Sequence, residues 1–202
     1  GFIGGKGLRN REGRTRNFLG KQKEKFYKEK FNYYLYPNPN SRKKGSYPYR
    51  ASKRNTGRIK ALVDFLQKRN SLPTYLLGFS RGSVDVSSYA KRHPGTIDGV
   101  VIISGIYANS SRKASDYSID LIVGDEFPLP LLIVHHEADE CRVTDPEEAL
   151  SFFESVKAPK KKMVMISGGG RTGRECGPLH HHGLEGVEKR GVRAIINWIN
   201  IR

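Results

Sequence analysis

Gly78-Phe79-Ser80-Arg81-Gly82 stands between the apolar run Tyr75-Leu76-Leu77 and a stretch whose apolar residues fall at helical spacing. A serine with glycines two positions before and two after, at a strand-to-helix junction, is the sequence form of a nucleophile elbow. Such a turn holds the serine in a strained backbone conformation, and side chains at the flanking positions would collide; glycine removes the collision. The hydroxyl is then presented above the sheet, over the N-terminus of the following helix. In a chain with 22 glycines the five-residue pattern is weak by itself, so the segments around it have to decide what it means.

Two later segments supply partners. Leu131-Leu132-Ile133-Val134 runs into His135-His136-Glu137-Ala138-Asp139, and Lys162-Met163-Val164-Met165-Ile166 leads through a glycine-rich loop to His180-His181-His182-Gly183-Leu184. Ser80, Asp139 and His182 therefore each lie just past the carboxyl end of an expected strand, where open α/β sheets build their sites. A hydroxyl, a carboxylate and an imidazole so placed form a nucleophile, acid and base set. His181 is a rival base, and Glu137 or Glu140 a rival acid. Ser83 is expected to hydrogen-bond locally, and His135 and His136 to be core or supporting groups. Three consecutive histidines do not readily all face one ion, and no His-x-x-x-His spacing is present, so neither a metal nor a cofactor is expected. Gly4-Gly5-Lys6-Gly7 has the glycine spacing of neither a dinucleotide nor a phosphate-binding loop.

Around these motifs the chain alternates. Asn17 to Lys30 reads as a lysine-rich helix anchored by Phe18, Leu19 and Phe26, and Phe31 to Tyr36 as an aromatic strand ended by Pro37-Asn38-Pro39. A long basic loop over 37–54 follows, then a helix capped by Thr56 with Ile59, Leu62, Val63 and Leu66 as its buried stripe. Gly99-Val100-Val101-Ile102-Ile103 is apolar throughout, as expected of a strand covered on both faces. Asp145-Pro146-Glu147-Glu148 opens another helix with a cap, a first-turn proline and acids at the positive end. The last helix buries Val192, Ile195, Ile196 and Ile199 beside Trp198. With the stub Gly1-Phe2-Ile3-Gly4 this makes about six strands alternating with helices. The expected fold is a single α/β domain over residues 1–202, a mostly parallel sheet with helices on both faces. The native chain is expected to carry further strands upstream of Gly1.

Charge is unevenly placed. Of a net +16, residues 1–60 hold +15, from 18 Lys or Arg against Glu12, Glu24 and Glu29. Interleaved with aromatics, as in Ser46-Tyr47-Pro48-Tyr49-Arg50, this third of the chain is either a solvated surface or a face that attracts anionic ligands and surfaces. An obligate nucleic-acid role is not expected. No apolar stretch approaches the 18 or more residues of a membrane span. Cys141 follows the candidate acid and Cys176 precedes the candidate histidine, so assembly of the set makes their loops neighbours. A disulfide between them would constrain the unfolded chain by roughly 3–4 kcal/mol and fit a periplasmic or secreted protein; two free thiols would fit the cytoplasm.

The chain resembles small α/β-hydrolases of the dienelactone-hydrolase and serine-esterase groups. The likeness is carried by Gly4-Gly5-Lys6-Gly7 with Asn17-Phe18-Leu19, by the elbow, by His135 to Val143 and by Cys176 to Gly186. The resemblance implies Ser80 as nucleophile, Asp139 as acid and His182 as base, with an oxyanion held by the backbone N–H of Arg81 and one from Gly5 or Lys6. It implies an acyl-enzyme reaction on a small-molecule carboxylic ester. Independently of the resemblance, the basic loop 41–54 leaves the carboxyl end of the expected strand 31–36, on the side where the site should lie, and favours an acidic substrate. The alternatives are a thioesterase, peptidase or lactonase on the same triad, or an idle hydrolase fold that binds an anionic surface or polymer. Oligomeric state is not legible.

Overall fold

The computed structural model describes residues 17–36, 45–107, 114 and 116–201. The expected stub at Gly1 to Gly4 and the Gly5 and Lys6 backbone positions lie outside them. Helix α1 (Phe18–Lys28) starts where Asn17 accepts a hydrogen bond from the Leu19 N–H. Residues 31–36, expected as a strand, form no ladder, and only Tyr36 is in a bridge. The expected basic loop instead contains a short helix, α2 (Tyr47–Ala51), capped by Ser46. Helix α3 (Lys53–Gln67) begins at a Ser52 cap, not at Thr56, which is buried inside its first turn.

Four parallel strands are described, β1 (Tyr75–Phe79), β2 (Gly99–Ile103), β3 (Leu131–His136) and β4 (Lys161–Ile166), in the order β1-β2-β3-β4. Helix α4 (Gly82–Arg92) joins the first two, α5 (Ile119–Val123) lies between the second and third, and α6 (Pro146–Ser155) joins the last two. The Asp145 side chain caps α6, accepting from Glu147 N–H. Helix α7 (Glu188–Asn200) closes the chain.

Register and pleat divide the core cleanly. Leu76, Val100 and Leu131 stand side by side, and one step along so do Leu77, Val101 and Leu132. Because successive side chains point to opposite faces, the first row packs under α3, α4, α5 and α6 through Ile59, Val86, Tyr89, Ile119 and Phe152. The second row packs under α1 and α7 through Phe18, Phe26, Val192, Ile195 and Trp198. Helices therefore cover both faces, and β2 and β3 are buried at every position, as their unbroken apolar sequence requires. Each fully buried aliphatic side chain contributes about 1.5–3 kcal/mol. The parallel topology brings every strand's carboxyl end to one rim.

Candidate active site

Ser80 and Ser104 leave adjacent strands at the same level of that rim. The sheet ladder continues one step beyond each strand: Ser80 N–H donates to the Ile103 carbonyl at 3.0 Å, and Ser104 N–H to the Val134 carbonyl at 3.0 Å. Both serines then take left-handed backbone, φ 50° and 44°, a conformation that costs a non-glycine residue roughly 1–2 kcal/mol. Glycine at 78 is a packing necessity, since a Cβ there would lie 2.6 Å from the Gly82 carbonyl oxygen and 2.7 Å from Val86 Cγ2. The turn is closed from below by Ser83, whose N–H and hydroxyl both donate to the Ser80 carbonyl, at 2.9 and 2.7 Å. Ser83 Oγ also accepts from Ile106 N–H, the local role expected of it.

The expected acid and base meet. His182 Nδ1 donates to Asp139 Oδ2 at 3.0 Å, with both side chains almost fully buried. Asp139 Oδ1 accepts from Cys141 N–H at 3.0 Å, and Oδ2 also accepts from Thr144 Oγ1 at 2.9 Å. Thr144 Oγ1 in turn lies 3.0 Å from His182 Nδ1. Burial would raise the Asp139 carboxyl, but the His182 hydrogen bond, the nearby His182 and His135 rings and the Cys141 N–H outweigh it and hold it below the usual value. His182 sits in a 3-10 turn, His181–Gly183. A Cβ at Gly183 would fall 2.3 Å from the Pro178 carbonyl oxygen, so only glycine lets the chain fold back there.

His182 is tied to the elbow side of the rim as well. Its carbonyl accepts from Ser104 Oγ at 2.8 Å, and its ring lies 5.2 Å from that of Phe79, centroid to centroid. A direct hydrogen bond between Ser80 Oγ and His182 is not formed; in ligand-free active sites this contact is commonly long and closes with substrate. Among the described residues, Arg81 backbone N–H has no acceptor, and its guanidinium lies over the Tyr47 ring at 5.4 Å.

The rivals are placed elsewhere. His181 Nδ1 donates to the Ala138 carbonyl at 2.9 Å, and its ring stacks on His136. Glu137 is exposed, and Glu140 pairs with His180 and Arg171. His135 Nε2 donates to the Thr144 carbonyl at 2.8 Å, and His136 Nε2 donates to the Gly168 carbonyl while Nδ1 accepts from Ala138 N–H. Both are supporting groups. A disulfide joins Cys141 to Cys176, tying the Asp139 loop to the His182 loop. Thr144 and Ser104 were not legible as site residues. Ser104 could have been suspected as the residue that ends a buried strand beside the elbow; Thr144 carries no signal beyond preceding a helix cap.

An apolar groove of about 420 Å³ runs beside the outer edge of β1, lined by Phe26, Phe31, Tyr36, Leu62, Leu66 and Leu72 among others. No carboxylate or imidazole lines it, and neither Ser80 nor His182 does, so it is separate from the rim.

No protein-family model matches the sequence, and no curated protein matches it. Solved structures do. A structure described as LipS and LipT, two metagenome-derived lipolytic enzymes, is similar over 92% of this chain and 89% of its own, at 12% identity and a TM-score of 0.59. A predicted CIB-like hydrolase from Thermoplasma acidophilum is similar over 92% of this chain and 80% of its own, at 15% identity and a TM-score of 0.59. An alpha-beta serine hydrolase homologue from Coxiella burnetii is similar over 89% and 74%, at 14% identity and a TM-score of 0.54. At such identities the likeness is one of fold.

Proposed function

We propose that this chain, whose fold is that of the α/β-hydrolases, is a serine hydrolase that cleaves carboxylic esters through an acyl-enzyme. The observation that supports this most is the buried His182 Nδ1–Asp139 Oδ2 hydrogen bond at the rim where Ser80 stands on its left-handed turn. With Nδ1–H committed to Asp139, the lone pair of His182 lies on Nε2, the atom a general base needs. His182 Nε2 takes the Ser80 proton as Ser80 Oγ attacks the ester carbonyl carbon. The Arg81 N–H donates to the oxyanion, with Gly5 or Lys6 as the sequence-based candidates for a second donor. Collapse of the tetrahedral intermediate breaks the ester C–O bond, and His182 returns the proton to the leaving alkoxide. Water, deprotonated by the same nitrogen, then releases the acid and regenerates Ser80.

The Arg81 side chain beside the elbow supports a preference for anionic esters, and the Cys141–Cys176 bridge supports an exported or periplasmic location. Thioesters and lactones present the same electrophilic carbonyl, so a substrate panel decides among them. In the simplest test, wild-type protein hydrolyses p-nitrophenyl acetate or butyrate, and the Ser80→Ala, His182→Ala and Asp139→Asn variants lose turnover while remaining folded. Full activity in folded Ser80→Ala would overturn the assignment.

A further inference from the structure

Three side chains converge next to the proposed triad without taking part in it. Glu140 follows Asp139 in the chain, and His180 and His181 precede His182, so the acid loop and the histidine loop each contribute neighbours. His180 Nε2 lies 3.0 Å from Glu140 Oε2, and one ligand-type atom from each of Glu140, His180 and His181 lies within 4.8 Å of the other two. Neighbours orient His181 and Glu140 without locking either. The His181 ring is stacked on His136, with centroids 4.3 Å apart and planes 4° from parallel. Its Nδ1–H is held by the Ala138 carbonyl, which leaves the Nε2 lone pair outward. A backbone carbonyl on the far N–H is a common support for a metal-binding histidine. Glu140 Oε1 is engaged by Arg171 at 3.2 Å, leaving Oε2 as the inward oxygen.

His180 is the unexplained member. It is 4% exposed, and among the described residues its Nδ1 has no hydrogen-bond partner. A buried imidazole whose polar partner among the described residues is a single exposed carboxylate has more ligand capacity than the fold uses. Its neighbour His136 differs, with both ring nitrogens engaged by Gly168 and Ala138, and His182 Nδ1 is held by Asp139.

We propose that Glu140, His180 and His181 bind a divalent transition-metal ion, zinc by their donor chemistry, with solvent in the fourth position. Two imidazoles and a carboxylate are a zinc donor set, and imidazole disfavours calcium and magnesium. Metal–nitrogen bonds of about 2.0–2.1 Å space tetrahedral ligand atoms at about 3.3 Å. Rotation of the exposed Glu140 and half-buried His181 side chains closes the remaining gap. The ion then joins residue 140 to residues 180 and 181, a second cross-link between the two loops that the disulfide already ties. This departs from the sequence-based expectation of no metal: three consecutive histidines diverge, but only two of them are needed.

The test uses the whole protein, stripped with a chelator and dialysed. Zinc is titrated by calorimetry, and cobalt by its visible absorption. The proposal predicts one ion per chain, a cobalt spectrum of four-coordinate type and a raised melting temperature. Glu140→Gln, at an exposed position, lowers affinity at least about tenfold, as does His180→Ala, with folding of each checked by circular dichroism; His93→Ala leaves it unchanged. Absence of stoichiometric binding by folded wild-type protein, or undiminished binding by folded Glu140→Gln, overturns it. Binding is the readout, so the outcome is independent of the proposed hydrolysis.

Discussion

Asp139 accepts from His182, Thr144 and Cys141 at once, and this over-determination holds the imidazole in one tautomer. Thr144 is the least expendable of the supporting groups, because its hydroxyl donates to Asp139 Oδ2 and also touches His182 Nδ1. Replacing it by valine keeps the shape and leaves a buried carboxylate oxygen one donor short. Thr144→Val is expected to lose about 1.5–3 kcal/mol in denaturant melts and to lower kcat for ester hydrolysis with little change in KM. Thr144→Ser restores both. A valine variant with unchanged kcat would show that Thr144 has no positioning role. The meeting of Asp139 and His182 was legible at this scale, because both follow expected strands whose carboxyl ends share one rim. Residues that act through them were not: the Thr144 hydroxyl acquires its role from a histidine 38 positions away, and no local pattern encodes that.

Elements were legible where periodicity and caps agreed. Asp145-Pro146-Glu147-Glu148 starts α6 as its chemistry dictates, and the unbroken apolar runs became the central strands. The reading failed where cations stood in a helix's first turn. Lys53 and Arg54 oppose the helix dipole and mask the Ser52 cap, so sequence pattern places the start of α3 too late. The sequence alone reads α2 as loop because its hold is tertiary: the Arg50 guanidinium is buried in an ion pair with Asp85 of α4, whose other oxygen accepts from Asn55 Nδ2 at 2.7 Å. The expected strand at residues 31–36 has the right residue types, but only Tyr36 forms a bridge. The loops after β3 and β4 carry Asp139 and His182 and have little apolar anchoring of their own, which gives the disulfide its importance. It closes a separation of 35 residues, and its removal in the Cys141→Ala/Cys176→Ala double variant is expected to cost roughly 3–4 kcal/mol, or a melting temperature lower by about 10 °C. Turnover should fall on reduction of the wild-type protein but be insensitive to reductant in the double variant. Equal melting temperatures with and without reductant would contradict this.

At the scale of the whole molecule, the rim is built by a parallel sheet buried on both faces, and its histidines make that construction sensitive to acid. Burial holds His135 and His136 below the ordinary imidazole value, against the opposing pull of Asp139 and of the Thr144 and Gly168 carbonyls. The unfolded chain takes up these protons near about pH 6.5, the folded chain only at lower pH. Their contribution is therefore complete above about pH 6.5 and declines as pH falls through the window below it. Asp139, also lowered, adds a contribution that is present above about pH 3.9 and lost on further acidification. Melting temperatures should be level on the alkaline side of about pH 6.5 and fall steadily below it; a constant value down to about pH 5 would contradict the burial of neutral imidazoles. All of this serves one claim, that Ser80 is an activated nucleophile. A fluorophosphonate reacts only with such a serine, so labelling followed by peptide mapping tests the claim directly. One phosphonyl adduct on the peptide containing Gly78 to Gly82, absent in Ser80→Ala and strongly slowed in His182→Ala, is the predicted result; a folded wild-type protein that takes up no label, or takes it up on another serine, contradicts it.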